Sequence, residues 1–172
     1  MEKFKSRWEI TKDWQFIHVI LGLIATFISA FLLAKAIISK FIEATSTTYL
    51  VLLVLGTLLL SYLIIKITLW LFAKLYDRWG VTYRWELIAI FLAFAVTGST
   101  AGRLSNPLMD LIGLGKGVTS GWIYWPVRIL LIFPIYQVLL VIFGWLFGQY
   151  TFFKAFATKM VSRMGLGFIF SK

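Results

Sequence analysis

The chain has 172 residues, 60% of them hydrophobic, a formal charge of +10 and a mean hydropathy of +0.89. A soluble domain holds about 45–50% apolar residues, so this excess, gathered in long runs, points to the bilayer as solvent. The basic residues flank those runs, which makes anionic headgroups, not nucleic acid, their partners; the absence of cysteine excludes disulfides, thiolate metal sites and thiol nucleophiles.

The first element in chain order is one half of a repeat. Residues 3–31 align with residues 74–102 at a constant offset of 71. Identities include Arg7/Arg78, Trp8/Trp79, Thr11/Thr82, Trp14/Trp85, Ile17/Ile88, Leu21/Leu92 and Thr26/Thr97. Both copies read Arg-Trp-x-x-Thr-x-x-Trp and run into an apolar stretch, and Trp70-Leu71-Phe72 returns as Trp145-Leu146-Phe147. An internal repeat governs the architecture of a chain. Here the unit is a pair of membrane-length helices: residues 1–73 form the first and residues 74–172 the second, with its tail, in one compact bundle.

The predicted spans cover residues 14–34, 49–72, 85–102 and 122–147. Each is near the ~20 residues that cross ~30 Å of hydrocarbon. Segments of this length satisfy their own backbone in lipid only as helices. The predicted class is therefore all-α: a polytopic membrane protein of four transmembrane helices, arranged as two parallel-repeat hairpins, plus a C-terminal amphipathic helix. The first apolar run is longer than the roughly 7–15 residues of a signal-peptide core and no small-x-small site follows it, so it reads as a retained helix.

Orientation follows from the basic residues of the connections. Lys3, Lys5, Arg7, Lys12, Lys74, Arg78, Arg84, Lys154, Lys159, Arg163 and Lys172 fall on one side, against Lys35, Lys40, Arg103 and Lys116 on the other. Both termini are expected on the cytoplasmic face of a bacterial inner membrane, crossed several times. Two helices per copy preserve orientation, so the copies are related by an axis along the membrane normal. In the second outer connection, Asn106-Pro107 and the glycines from Gly113 to Gly117 read as turns. That glycine cluster lacks the order of a phosphate loop.

Six residues of the repeated motif, Arg7, Trp8, Trp14, Arg78, Trp79 and Trp85, are expected to anchor the helix entries at headgroup depth. Gly98 and Gly102 in the third span, and Gly144 and Gly148 in the fourth, have the spacing that lets helix backbones approach. They suit packing within the bundle or against a second chain. His18 is the single histidine and reads as a packing residue, since metal binding needs several ligands. Ser99 has no identifiable base to make it a nucleophile. No catalytic residue, metal site or cofactor is expected.

Arg128 lies early in the fourth span. A charge at the bilayer centre costs roughly 2.5–3.5 kcal/mol on insertion scales; near an interface the side chain snorkels and the cost falls. Trp125, one turn back, is placed to stack on the guanidinium. Arg103 is expected at the same outer level, so Arg103, Arg128, Tyr124 and Trp125 form a candidate site for a lipid headgroup or another anion. Pro134 is expected to kink this span, and Gln137 to hydrogen-bond between helices. The tail, residues 152–172, sets Phe153, Phe156, Met160 and Met164 against Lys154, Lys159 and Arg163. It reads as a helix lying on the cytoplasmic leaflet or docked on a partner.

Several strings carry a resemblance: Asp77-Arg78-Trp79-Gly80-Val81, Thr97-Gly98-Ser99-Thr100, and Phe133-Pro134-Ile135-Tyr136-Gln137 leading to Phe147-Gly148-Gln149-Tyr150-Thr151-Phe152-Phe153. In these, residues 72–165 resemble a small bacterial inner-membrane protein family defined as a domain of unknown function. Its members are sometimes labelled prolipoprotein diacylglyceryl transferases; the chain is shorter than those enzymes and their signature segment is not found in it. The resemblance implies a membrane protein and supplies no catalytic residue.

The expected function is a non-catalytic subunit or accessory factor of a larger membrane complex. It would act through helix packing and through contact with anionic phospholipid and other integral membrane proteins. A lipid-acting transferase is the alternative, with Arg103, Arg128, Tyr124 and Tyr136 at the headgroup and His18 as base; a small transporter or channel is the third.

Overall fold

The structure, a computed structural model, describes residues 1–163. Among these it is helical, with six α-helices and no strand: α1 (Glu2–Trp8), α2 (Phe16–Ile38) after a 3-10 turn at Asp13–Gln15, α3 (Thr47–Trp79), α4 (Arg84–Leu111), α5 (Gly121–Leu146) and α6 (Tyr150–Val161). Four helical segments, Asp13–Ile38, α3, α4 and α5, are long and apolar enough to cross a membrane. They coincide with the four predicted spans and are longer than most of them. α3 has 33 residues, about 50 Å of helix, so its ends extend past a bilayer core.

One predicted turn is absent. Asn106 and Pro107 lie inside α4, which runs on to Leu111 and carries Arg103 within the helix instead of in a loop. Proline removes one N–H, here the donor to the Arg103 carbonyl, and membrane-length helices tolerate this where neighbouring groups compensate. The chain turns instead at Gly113 (φ 75°) and Gly117 (φ 103°), conformations that favour glycine.

The chain divides into two compact units, Met1–Ile88 and a second beginning at Ala89. The boundary falls inside α4 because the first turn of that helix packs with the N-terminal elements: the Trp85 ring lies 5.7 Å from that of Trp14 and 5.2 Å from that of His18.

In the first unit α2 and α3 form a hairpin closed by small residues. Ala30 and Ala34 are buried, and a Cβ on Gly56 would lie 3.4 Å from Ile38 and 3.6 Å from Ala34. With lipid as solvent, such close approach supplies the packing energy that expulsion of water supplies elsewhere. The outer faces of both helices are lined with exposed Leu, Ile, Val and Phe.

The helix entries around residues 8–15 and 79–86 make the same local bonds. α1 ends at Trp8 and α3 at Trp79, each followed by a left-handed residue: Glu9 (φ 55°, ψ 37°) and Gly80 (φ 61°, ψ 37°). A Schellman-type bond closes each end, Ile10 N–H to the Lys5 carbonyl at 3.0 Å and Val81 N–H to the Tyr76 carbonyl at 3.5 Å. The next helix is then capped from within. Gln15 Oε1 accepts from the Thr11 and Lys12 amides at 2.8 and 3.0 Å. Glu86 Oε2 accepts from the Thr82 and Tyr83 amides at 3.0 and 3.1 Å.

Glu9 is the odd member, a non-glycine residue at positive φ. The conformation costs about 1–2 kcal/mol. Its carboxylate offsets that cost, because Oε2 accepts from the Arg84 amide at 2.9 Å and shares the Tyr76 hydroxyl, at 3.4 Å, with the nearer Thr82 carbonyl at 3.1 Å. Glu9→Ala removes both bonds and keeps the strain; Glu9→Gly removes both and relieves it. Thermal unfolding in detergent is expected to rank wild type above Glu9→Gly and Glu9→Gly above Glu9→Ala, the last two separated by about 1 kcal/mol. Equal stability of the two variants contradicts the strain.

In the second unit α5 turns into α6 through Gly148 (φ 72°), with the Gln149 amide bonded to the Gly144 carbonyl at 2.6 Å. Gly148 therefore serves the turn, and nothing lies within 4 Å of where its Cβ would be. α6 runs back along α5: Gly144 faces the Phe153 ring, and Gln137 Nε2 donates to Met160 Sδ at 3.2 Å. Phe94 of α4 closes the cluster, its ring 5.0 Å from that of Phe153 and 5.5 Å from that of Phe156. Phe153, Phe156 and Met160 of α6 thus meet α4 and α5, while Lys154 and Lys159 stay exposed. Met164, Lys172 and the rest of the expected tail helix beyond 163 lie outside the described residues.

Candidate functional site

The second unit builds a cationic node between α4 and α5. Arg128 Nε donates to Ser105 Oγ at 2.9 Å, Nη1 to the Tyr124 hydroxyl at 3.1 Å and Nη2 to the Gly102 carbonyl at 3.3 Å. The Ser105 hydroxyl in turn donates to that same carbonyl at 2.7 Å. The guanidinium carbon lies 5.4 Å from the Trp125 ring centre and 5.6 Å from that of Tyr124. Tyr124 and Ser105 are buried and Arg128 is half-buried.

Every partner in this node is neutral. Arg128 makes no ion pair among the described residues, and two of its five N–H groups carry no bond there. A guanidinium does not lose its proton in proteins. The node is therefore a fixed positive charge, oriented by hydroxyls and a carbonyl, with donor capacity left over for an oxyanion.

Residues 89–168 match the model of a family described as a family of unknown function (DUF6787). No curated protein and no solved structure matches the chain. The match begins at the first residue of the second unit. It takes in the whole Arg128 node and the Gly144–Phe153 contact, and it leaves out residues 72–88, including the Asp77–Val81 string. Of the four helical segments long and apolar enough to cross a membrane, the matched residues hold most of α4 and all of α5.

Arg103 is exposed on α4, one residue beyond the Gly102 carbonyl that Arg128 bonds. Gly98 and Gly102 have no atom within 4 Å of a built Cβ among the described residues, so neither serves close packing there; Gly144 does, against Phe153. Gly102 contributes through its carbonyl instead.

The six expected anchors also separate. Trp14 is 53% exposed, while its sequence equivalent Trp85 is only 5% exposed and cannot face headgroups. Trp8 packs edge-on against Phe72, ring centres 6.2 Å apart. Arg78 is exposed and Trp79 half-buried. Arg7 and Trp8 line a cleft of about 410 Å³ with Leu69, Phe72, Ala73, Tyr76, Asp77, Arg84 and Leu87. Nearby, Lys5 donates to Asp13 at 2.8 Å, and this bond, with the carboxylate's charge, raises the lysine pKa.

Sequence reasoning missed Ser105, Glu9 and Gln15, and it took Arg84 only as a basic residue of a connection. Gln15 and Glu86 share the 71-residue offset and were there to be paired, as were Glu9 and Gly80. Ser105 had no signal, because its role depends on the register of α4 against α5.

Proposed function

We propose that the protein is a non-catalytic, multi-pass membrane protein that serves a larger membrane assembly through helix packing and contact with anionic phospholipid. In this reading the helices are two duplicated hairpins in a bacterial inner membrane, with both termini cytoplasmic. The matching turns, caps and left-handed residues at the two helix entries support duplication. The basic connections support the orientation.

The observation that carries the lipid contact is Arg128. A cation on an apolar helix is costly, and the chain provides it with hydroxyls, a carbonyl and two rings but no carboxylate. A phosphate at this level supplies the missing charge. The α4 face around Gly98 and Gly102, free of close contacts among the described residues, is the surface for a neighbouring helix.

The test is lipid retention by the purified protein. Arg128→Gln keeps a polar side chain and removes the charge. It is expected to weaken binding of anionic phospholipid about tenfold, the effect of one charge-assisted contact, as read by native mass spectrometry. Unchanged retention removes the role of Arg128. Co-purification with another membrane protein at fixed stoichiometry supports the assembly; a monodisperse, partner-free monomer from mild extraction contradicts it.

A further inference from the structure

The cleft of the first unit has a different chemistry from the Arg128 node. Among its lining residues Phe72 and Leu87 are buried and Leu69 is partly exposed, while Arg7, Arg84 and Asp77 are exposed and, with half-buried Tyr76, form its polar rim. Leu69 lies two helical turns before Tyr76 on α3, about 10 Å deeper along the helix. Apolar depth and a charged rim therefore follow the axis of a membrane-normal helix, as they do in a lipid.

Both signs of charge at the rim are uncommitted. Arg7, Arg84 and Asp77 make no ion pair among the described residues, where the pair seen is Lys5 with Asp13. The Arg84 guanidinium lies 5.8 Å from the Tyr76 ring centre, which holds it at the rim. Glu9 reaches this corner too, through the Arg84 amide and the Tyr76 hydroxyl. Two arginines and two carboxylates leave the corner without net charge. A purely anionic headgroup would gain two cations and face two carboxylates. A headgroup that itself carries a phosphate and an ammonium meets complementary charge at each end.

We propose that this cleft seats one zwitterionic aminophospholipid of the surrounding leaflet. Its phosphate takes N–H donors from Arg7 and Arg84, and its primary ammonium donates to Asp77. The first segment of an acyl chain lies over Leu69, Phe72 and Leu87. A primary amine fits better than a trimethylated one, because only the former can hydrogen-bond a carboxylate. A volume of about 410 Å³ is in the range of small-ligand sites and suits a headgroup with the start of a chain.

The proposal rests on the membrane reading but not on Arg128, so one experiment separates them. The full chain is purified in mild detergent and offered phosphatidylethanolamine, phosphatidylcholine or phosphatidylglycerol, and bound lipid is read by native mass spectrometry. In the Arg128→Gln background, which removes the proposed anionic-lipid contact, the protein is expected to hold phosphatidylethanolamine about tenfold more tightly than either other lipid, and wild type to hold it about tenfold more tightly than phosphatidylcholine. Arg84→Gln and Arg7→Gln each weaken it about tenfold. Asp77→Asn erases the preference over phosphatidylcholine, and Arg128→Gln leaves phosphatidylethanolamine binding unchanged. Arg84→Gln keeps the backbone amide that Glu9 accepts from, so its melting temperature should match wild type and certify the fold. Retention unaffected by the Arg7 and Arg84 changes overturns the site. So does equal binding of the ethanolamine and choline lipids. Loss of phosphatidylethanolamine in Arg128→Gln alone overturns this cleft while leaving the Arg128 reading standing.

Discussion

Gly144→Ala is expected to unseat α6 from α5. A Cβ at this position would lie within 2.7 Å of three atoms of the Phe153 side chain, closer than packed carbons tolerate. Phe153 cannot retreat, because it is fully buried and its ring meets Phe94 at 5.0 Å. Overpacking of this kind costs about 1–3 kcal/mol. Phe153→Ala fails for the opposite reason, leaving a void. In lipid the water-transfer part of such a loss is small, so about 2 kcal/mol is expected, below the roughly 3–5 kcal/mol usual for a buried phenylalanine. The two changes share one contact and should not add. In a Phe153→Ala background, Gly144→Ala should cost little by thermal unfolding in detergent. Strict additivity would show that the two residues do not touch.

The second large effect separates two tryptophans that the sequence presents as equals. Trp85 is 5% exposed and touches both Trp14 and His18; Trp14 is 53% exposed. Trp85→Ala is expected to cost about 3 kcal/mol through the cavity it leaves. Trp14→Ala should cost about 1 kcal/mol, the worth of its aromatic contacts. Matched unfolding curves of the two variants decide the point. Equal costs would restore the idea of two equivalent headgroup anchors.

That pair also shows where sequence reading stops. The four spans were legible because hydropathy and length are local properties, and the helices cover them. Helix ends were not, since Pro107 looks like a terminator yet lies inside α4. Arg-Trp-x-x-Thr-x-x-Trp was legible as a motif, yet identical local residues cannot reveal that one tryptophan is covered and the other bare. Arg128 stood out as a charge on an apolar run, and its ring partner Trp125 followed from helical spacing. Its anchor Ser105 did not, because only the packing of α4 beside α5 brings them together. The amphipathic pattern of α6 was visible, but not its docking surface, which is a single missing side chain at Gly144.

The Trp14–His18–Trp85 cluster has a consequence for biogenesis. Its members are separated by a whole hairpin of chain, and the last of them emerges from the ribosome only after α3 is complete. The Gly144–Phe153 latch joins near neighbours and can close soon after its second half is made. A nascent chain halted at residue 73 therefore holds two apolar helices with Trp14 and His18 still uncovered. The N-terminal unit becomes a finished object only when translation has passed Trp85.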